Sequence, residues 1–385
     1  MSSVPSGTLL PNKWNAEHAA GLSEPERLLY RSNLLGSDLR ITNFGGGNTS
    51  AKVWQKDPLG GGDVEILWVK GSGGDVGSMK LDGFSTLYMD KLRALKGLYR
   101  GEAYEDEMVA YLPHCTFNLN PRAASIDTPL HAYIDKPHVD HMHPDAVIAI
   151  AASKDSRAIT QEIYGDDIGW LPWKRPGYQL GLMLEAYFND NPNSKGVVLE
   201  SHGLFTWGDS AKECYDITID IINKAIAWFD VKTDGVEIFG GVRHQSLDAK
   251  TRHSIASTLM PRVRSFIDAS ERKIGHFNDS DAVLEFVNSN KLNELAALGT
   301  SCPDHFLRTK IRPIIIDFDP KNPNLDAVID GLADAFAAYR EDYKSYYTRC
   351  KHDNSPAIRD PNPVIYLIPG VGMLSFAKDK ATARI

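Results

Sequence analysis

The sequence predicts an α/β fold, followed by a second and smaller α/β region. Three observations support this. Apolar stretches of strand length lie beside glycine-rich turns, and a well-capped amphipathic helix follows them. The 385 residues are also more than one small core would hold, which favours two domains or one large α/β unit. With 42% hydrophobic and 24% charged residues, the chain has the composition of a folded protein and not of a disordered one.

The N-terminal half alternates predicted strands and helices. The stretches DLRITNF and VEILWVKG predict strands beside the turns GGGNTS (Gly45–Ser50) and GSGG (Gly71–Gly74), and MDKLRALKGLYRG predicts a short helix. HVDHMH predicts a further strand, after which Pro144 suits the first turn of a helix. Val197–Gly208, VVLESHGLFTWG, predicts a buried strand that runs into a turn.

The best-marked helix begins after Ser210. Ser210 and Glu213 form a capping-box pattern, in which each side chain can bond the backbone of the other residue. Apolar residues then recur at helical spacing, namely Cys214, Ile217, Ile221, Ala225 and Phe229.

Thr233–Ser246 predicts a domain boundary, and the two predicted domains are residues 1–242 and 243–385. A helix-rich stretch follows to residue 298. Strand and helix patterns then return in IRPIIIDF, LDAVIDGLADAFAAYREDYKSYY and VIYLIPG.

Charge and cysteine usage exclude several classes of protein. A net charge of −8 argues against nucleic-acid binding, which needs a basic surface. The four cysteines are scattered without a C-x-x-C pair, which is typical of free thiols in a reducing compartment. No secretory leader pattern opens the chain, and no apolar run approaches the roughly 20 residues that span a bilayer. We therefore expect a cytoplasmic protein without membrane partners.

Four histidines, His131, His138, His141 and His143, are close together in the sequence. His141 and His143 are two residues apart on a predicted strand and so project from the same face. His202, at the end of another apolar run, could join them. Three histidines and one open position form the usual catalytic zinc pattern. The alternative is that an isolated H-x-H pair consists of solvated or core histidines.

The two glycine-rich turns could present backbone N–H groups to a phosphate without any basic surface, or they could be plain loops. Between them and the histidines lies SIDTPLH, which contains Asp127. Asp127 could cap a helix ahead of Pro129. It could also be a general base beside a metal-polarised substrate.

Taken in order, G-N-x-S, a Ser-Gly turn, a carboxylate motif, H-x-H and a later His-Gly resemble the class II aldolase/adducin family over residues 25–235. The resemblance implies a three-layer α/β/α sandwich around a largely antiparallel sheet. It also implies a homo-oligomer, commonly a tetramer with active sites at subunit interfaces.

The resemblance also implies roles for individual residues. His141, His143 and His202 correspond to the ligands of one zinc ion per subunit, although another divalent metal could serve. Asp127 stands where the family keeps its acid/base. The phosphate contacts correspond to Asn48, Ser50, Ser72, Gly73 and Ser125.

One departure leaves the reaction open. The fuculose-phosphate aldolases carry Glu where this chain has Asp127, and SIDTPLH is closer to the pattern of the ribulose-phosphate 4-epimerases. In contrast, HVDHMHPDAV, ESHGLFTWG and TSCPDHFLRTKIRP resemble the aldolase part of bifunctional rhamnulose-1-phosphate aldolase/lactaldehyde dehydrogenases. No dinucleotide-binding glycine loop is present, so we expect no dehydrogenase activity.

The resemblance therefore implies a zinc-dependent aldolase that cleaves a ketose 1-phosphate, with L-rhamnulose 1-phosphate as the favoured substrate. The products would be dihydroxyacetone phosphate and an aldehyde. The alternatives are a pentulose-phosphate 4-epimerase and a non-catalytic adducin-like scaffold.

Residues 243–385 could be a degenerate repeat of the first domain. VVLESHGLFTWGDSAK aligns with VIYLIPGVGMLSFAKDKA when Gly203 is matched to Gly372, and His202 then falls on Val371. The alternative is an unrelated α/β region, because short glycine-turn matches recur by chance.

Overall fold

The computed structural model describes residues 8–267, 272–353 and 355–385, so the first seven residues of the N-terminal segment lie outside the described range. The chain divides into two compact units, Gly7–Lys232 and Thr233–Ile385. The predicted domain limit at residue 242 stays a prediction.

The first unit is built on a seven-stranded sheet with the order β3-β2-β1-β4-β7-β6-β5. Only β5 and β6 are parallel, and the other neighbours are antiparallel. The sheet is therefore largely antiparallel, as predicted. Its strands are β1 (Asn48–Lys56), β2 (Asp63–Lys70), β3 (Phe84–Tyr88), β4 (His138–Met142), β5 (Ile168–Leu171), β6 (Gly196–Leu199) and β7 (Gly203–Gly208).

The α-helices of this unit are α1 (Ala16–Ala20), α2 (Glu24–Gly36), α3 (Met89–Ala94), α4 (Glu105–Tyr111), α5 (Thr128–Ala132), α6 (Asp145–Ala151), α7 (Ser156–Tyr164), α8 (Tyr178–Asp190) and α9 (Ala211–Thr233).

Helices cover both faces of the sheet. On one face, α5 and α8 pack in a core with Val139 and Phe205. On the other face, Arg31 of α2 and Thr218 of α9 both hydrogen-bond Asp140. Because neighbouring strand residues alternate in direction, Val139 and Asp140 point to opposite layers. The result is the predicted α/β/α sandwich.

Two predicted strands differ from the structure. Asp38–Phe44 is a turn and not a strand, because the Asp38 carboxylate accepts from the backbone N–H and the guanidinium of Arg40. The GGGNTS segment consequently leads into β1 and does not follow a strand. Val197–Gly208 is not one strand but the hairpin β6–β7, since the chain reverses at Ser201 and His202.

The helix predicted after Ser210 is confirmed as α9. The Ser210 hydroxyl accepts from the Glu213 backbone N–H at 3.1 Å, as an N-cap does. The Glu213 carboxylate accepts in turn from the Asp209 backbone, one residue earlier than in the usual capping box.

The second unit contains a four-stranded sheet with the order β8-β11-β10-β9. Its strands are β8 (Ile274–Asn278), β9 (Ile314–Ile315), β10 (Ile365–Ile368) and β11 (Gly372–Ala377). Strand β8 lies within the stretch that was predicted to be helix-rich. The helices are α10 (Ala249–Phe266), α11 (Asp281–Val287), α12 (Leu292–Leu298), α13 (Pro303–Thr309), α14 (Leu325–Cys350) and α15 (Lys380–Arg384).

Strand pairing in the first unit brings several chain segments to one end of the sheet. The registers Asn48↔His141, Met142↔Leu204 and Leu199↔Gly203 place the start of β1 beside the end of β4 and the β6–β7 turn. Among the described residues, no helix is long and apolar enough to cross a bilayer.

Candidate metal centre

Three histidines meet at this end of the sheet. His141 is in β4, His143 follows directly after it, and His202 lies in the β6–β7 turn. One side-chain nitrogen of each lies within 4.8 Å of the others, and all three residues are buried. The structure therefore brings together the three residues that the sequence predicted as metal ligands.

The β6–β7 turn is shaped to bring His202 close to His143. Ser201 takes a positive φ of 52°, which reverses the chain just before His202. Gly203 follows, and a Cβ atom there would lie 2.5 Å from Cδ2 of His143 and 2.8 Å from the Met142 carbonyl oxygen. Only glycine permits this approach without displacing the His143 ring.

The tautomer of His141 follows from its hydrogen bond. Its Nδ1 lies 3.1 Å from the Leu204 carbonyl, which can only accept, so Nδ1 carries the proton and Nε2 keeps its lone pair. This is the outer contact that usually orients a metal-binding imidazole. Burial, and then the neighbouring His143 and His202, hold the pKa of His141 well below its usual range. The ring is therefore neutral, as ligation requires.

The donor set suits a divalent cation. Nε2 of His141 lies 2.9 Å from Nε2 of His143, a distance that either an N–H of one ring or a cation between the rings would satisfy. A metal ion would satisfy all three imidazoles at once. His141, His143 and His202 could thus hold a divalent metal ion.

The other two histidines of the cluster make different contacts. Arg31 donates to Nδ1 of His138 at 2.8 Å and forms a fully buried ion pair with Asp140 at 3.0 Å. His131 lies on α5, and its Nδ1 is 2.8 Å from the Ser50 hydroxyl. Both histidines are buried, and neither belongs to the three-histidine group.

Asp127 stands immediately before α5, at the N-cap position, but its side chain makes no capping hydrogen bond. It accepts instead from the Ser125 hydroxyl at 3.3 Å. Helix α5, which Asp127 precedes, lies on the same face of the sheet as the His141 side chain. The ring centroids of His131 and Phe205 are 5.4 Å apart, and those of Phe205 and His141, which stack, are 4.1 Å apart.

The residues predicted to bind phosphate gather near this end of the sheet. The Gly45 backbone lies 3.4 Å from the Asp75 carboxylate, which links the two glycine-rich turns. Ser72 donates its backbone N–H to the Ala123 carbonyl, two residues before Ser125. Asn48 and Ser125 are buried, whereas Ser72 and Gly73 are exposed.

Two details qualify the predicted phosphate contacts. The backbone N–H groups of Gly46, Gly71 and Ser72 already donate to backbone carbonyls, so these three are not available to cradle an anion. Ser50 is 1% exposed, and its hydroxyl lies against His131. The single hydroxyl proton of Ser125 is donated to Asp127, so the side chains of Asn48 and Ser72 remain as the better-placed donors.

The sequence assigned no role to three residues that complete the site. Phe205 stacks on the His141 ring with planes only 12° apart, and the Leu204 carbonyl fixes its tautomer. Gly203 admits the His143 ring. All three follow His202 in the strand GLFTWG, but only the pairing of β4 with β7 reveals their contacts.

Two protein-family models match most of the chain. Residues 26–226 match the class II aldolase and adducin N-terminal domain, which is more than half of the chain. Residues 254–385 match the domain described as aldolase class II, second domain. The first match contains the three histidines and Asp127.

A curated relative is similar over nearly the whole chain. It is the uncharacterized oxidoreductase YuxG of Bacillus subtilis (strain 168), 39% identical over 373 residues. The match covers 97% of this chain but 54% of YuxG, so the chain spans about half the length of that relative.

Solved structures resemble the first unit. The N-terminal class II aldolase domain of a conserved Thermoplasma acidophilum protein is 31% identical, with a TM-score of 0.52, and the match covers 57% of this chain and 99% of that one. L-fuculose-1-phosphate aldolase from Thermus thermophilus is 15% identical, with a TM-score of 0.37, and the match covers 55% of this chain and 98% of that one. This similarity is too remote to inform function. Because the N-terminal family model matches residues 26–226, the chain belongs to the class II aldolase and adducin family.

Proposed function

We propose that this chain is a metal-dependent class II aldolase that cleaves a ketose 1-phosphate to dihydroxyacetone phosphate and an aldehyde. L-rhamnulose 1-phosphate is the proposed substrate and zinc the proposed metal. The observation that carries the proposal is the buried group of His141, His143 and His202, whose nitrogens lie within 4.8 Å of one another.

A divalent ion held by these three imidazoles would supply Lewis-acid polarisation of a substrate carbonyl. The chain's own residues prepare the ligands for it. The Leu204 carbonyl holds His141 in the tautomer with a free Nε2, and Phe205 fixes the plane of its ring. Burial, and then the neighbouring His143 and His202, hold the pKa of His141 well below its usual range, so this ring stays neutral.

Asp127 is the proposed acid/base. In cleavage, the C3–C4 bond of the ketose breaks as the C4 hydroxyl loses its proton, and a proton must then be delivered to C3. The Asp127 carboxyl, oriented by the Ser125 hydroxyl at 3.3 Å, would deliver it and would remove it again in the aldol direction. Asn48 and Ser72 would hold the phosphate.

A pentulose-phosphate 4-epimerase is the second candidate. One observation favours it: residue 127 is aspartate, whose carboxylate is one methylene closer to the backbone than that of a glutamate. An epimerase would use the same bond cleavage and then add the rotated aldehyde back. A non-catalytic scaffold is disfavoured, because three assembled imidazoles serve no packing purpose in a buried site.

The name of the relative YuxG raises the question of oxidoreductase activity. About half of that protein lies outside the similarity, and this chain has no dinucleotide-binding glycine loop. We therefore propose that the chain has no dehydrogenase activity of its own. Incubation with NAD⁺ and lactaldehyde should produce no NADH.

The substrate proposal is tested by offering L-rhamnulose 1-phosphate and L-ribulose 5-phosphate in parallel. Release of dihydroxyacetone phosphate is measured by reduction with glycerol-3-phosphate dehydrogenase, and epimerisation by NMR. We expect dihydroxyacetone phosphate from the first sugar. Epimerisation of the second without cleavage of the first would establish the epimerase instead.

The metal and acid/base assignments are tested by substitution. His202→Ala should lose bound metal, measured by plasma mass spectrometry. His114→Ala, which replaces an exposed histidine, should retain it.

Asp127→Asn should keep the metal and lose about 10²–10⁴-fold in kcat. Asp90→Asn, which replaces an exposed aspartate, should leave kcat unchanged. Turnover that survives both chelation and Asp127→Asn would reject the mechanism.

We also propose that the chain assembles as a homotetramer. Its proposed small-molecule partner is the sugar phosphate. Light scattering on the purified chain measures its mass in solution. A monomer at micromolar concentration with full activity would reject an interfacial active site.

A further inference from the structure

We infer that the second unit is a degenerate copy of the metal-binding half of the first unit, and that the copy has lost all three ligands. The positions equivalent to His141, His143 and His202 are Phe277, Asp279 and Val371. The full chain therefore holds one divalent metal ion and not two.

The strand order of the copy repeats that of the first unit. The sheet of the first unit contains the run β5-β6-β7-β4, and the second sheet is β9-β10-β11-β8. In both, the first pair of strands is parallel and the next two pairs are antiparallel. A long helix connects the parallel strands in each case, α8 in the first unit and α14 in the second.

The hairpins also agree in length and register. β6 and β10 each have four residues, and β7 and β11 each have six. Leu199 pairs with Gly203 in the first hairpin, and Ile368 pairs with Gly372 in the second. A helix then begins at the third residue after each hairpin, Ala211 after Gly208 and Lys380 after Ala377.

The turns within the two hairpins have the same conformation. His202 donates its backbone N–H to the Leu199 carbonyl at 3.1 Å, and Val371 donates to the Ile368 carbonyl at 3.0 Å. The residue before each donor has a positive φ, 52° at Ser201 and 75° at Gly370. A generic strand–turn–strand does not require this combination.

The helix caps agree as well. The backbone N–H of Glu213 bonds the Ser210 hydroxyl at 3.1 Å, and that of Thr382 bonds the Asp379 carboxylate at 2.7 Å. Both capping residues stand at the same distance from the glycine that begins the preceding strand.

The strand that carries His141 has its counterpart in β8. His141 pairs with Phe205, two residues after Gly203, and Phe277 pairs with Leu374, two residues after Gly372. Four residues after His141 and after Phe277, a seven-residue helix begins.

The glycine contacts confirm this register independently of the pairing. A Cβ on Gly203 would meet the His143 ring and the Met142 carbonyl. A Cβ on Gly372 would meet Cβ of Asp279 at 3.3 Å and the carbonyl of the residue before it, Asn278, at 2.6 Å. Asp279 therefore occupies the position of His143.

The replaced residues cannot bind a metal together. Phe277 and Val371 have no ligand atoms, and Val371 is fully buried in the apolar core of the second unit. Asp279 is neutralised by Arg252, whose guanidinium lies 3.0 Å from its carboxylate. One carboxylate already paired with a cation does not make a transition-metal site.

The copy also lacks the parts of the first unit that hold the other proposed site residues. Within residues 233–267 the structure describes no strand ahead of β8, so β1 and β2 have no counterparts there. Asn48, which begins β1, and Ser72, which follows β2, consequently have none either. This places the proposed phosphate contacts in the first unit alone.

The inference is tested by restoring the ligands in the full chain. Phe277→His, Asp279→His and Val371→His are combined with Arg252→Gln, which removes the guanidinium. We expect the number of zinc ions per chain, measured by plasma mass spectrometry after dialysis, to rise by one relative to the unsubstituted chain. The matched control has Asn278→His together with Asp279→Ala in place of Asp279→His, which places that imidazole on the opposite face and leaves no carboxylate at the third position. It should gain none.

A variant that keeps its circular dichroism spectrum but gains no metal would overturn the inference. If the fourfold variant does not fold, the pair Asp279→His and Val371→His is tested with Cu²⁺, and one added ion is again expected. A further measurement uses the native second unit. His202→Ala should retain no zinc, and one ion per chain remaining in that variant would show that the copy still binds metal. None of these results depends on which sugar is cleaved.

Discussion

Histidines close together in the sequence have separate roles in the structure. His141 and His143 belong to the buried three-histidine group, whereas His138 accepts a hydrogen bond from Arg31. A guanidinium can only donate, so Nδ1 of His138 is the acceptor and its proton sits on Nε2. Burial, and then Arg31, lower the pKa of His138 to about 2. It is a neutral structural residue.

This histidine predicts a loss of stability in acid. An unfolded His138 protonates near its ordinary pKa of 6.5, but the folded one resists until about pH 2. The unfolded state therefore binds more protons in this range, and stability falls as the pH drops below 6.5. His138→Gln keeps an acceptor for Arg31 and removes the titration. As the pH is lowered, the unfolding free energy of this variant should fall less steeply than that of the unsubstituted chain. The two slopes should differ by up to about 1.4 kcal/mol per pH unit.

The measurement is urea unfolding of metal-free protein from pH 7 to pH 4.5. His18→Gln, which replaces an exposed histidine, is the control and should follow the unsubstituted chain. An equal slope for His138→Gln and for the unsubstituted chain would contradict a neutral His138.

At the scale of elements, the β6–β7 turn positions one ligand against another. Gly203→Ala retains all three histidines but would put a methyl group 2.5 Å from Cδ2 of His143, so the His143 ring must shift. We expect at least a tenfold loss of zinc affinity in competition with a chromophoric chelator. Gly97→Ala, where no atom lies within 4 Å of the new Cβ, should not change it. Unaltered affinity in Gly203→Ala would mean that the turn does not shape the site.

The two glycine-rich turns predict where substrate phosphate is recognised. Asn48→Ala or Ser72→Ala should raise KM for the phosphorylated ketose with little effect on the unphosphorylated sugar, because only the former loses a hydrogen bond to the anion. A hydrogen bond to a charged group contributes about 1.5–3 kcal/mol, so KM should rise by about tenfold or more. Ser153→Ala is the control. Equal losses with both sugars would remove the phosphate assignment.

At the scale of the whole molecule, the two units have separate apolar cores. One core of the first unit contains Leu35 and Ile222, and the main core of the second contains Leu259 and Phe336. If the metal binds only the first unit, zinc should stabilise that unit alone, by about 2.7 kcal/mol at a hundredfold excess over Kd. In calorimetry of the unsubstituted chain, added zinc should raise the temperature of one of two unfolding transitions. In His202→Ala, added zinc should raise the temperature of neither transition. Movement of both transitions together would contradict this prediction.

Much of the architecture was predictable from local patterns. The α9 helix, strand β4 and the α/β alternation follow from hydrophobic spacing, capping residues and proline position. Those signals are local and survive in any tertiary context. The prediction of a strand at Asp38–Phe44 was wrong, because hydrogen bonding of the Asp38 side chain to Arg40 outweighs the apolar pattern.

Local sequence was enough to predict that His141 and His143 act together, since imidazoles two residues apart on a strand share a face. The position of His202 beside them depends on pairing between β4 and β7, which are distant in the chain. Tertiary packing also placed Ser50 against His131 and buried Val371 in the apolar core of the second unit. Long-range strand register is set by packing across the whole sheet, and no short stretch of sequence contains it.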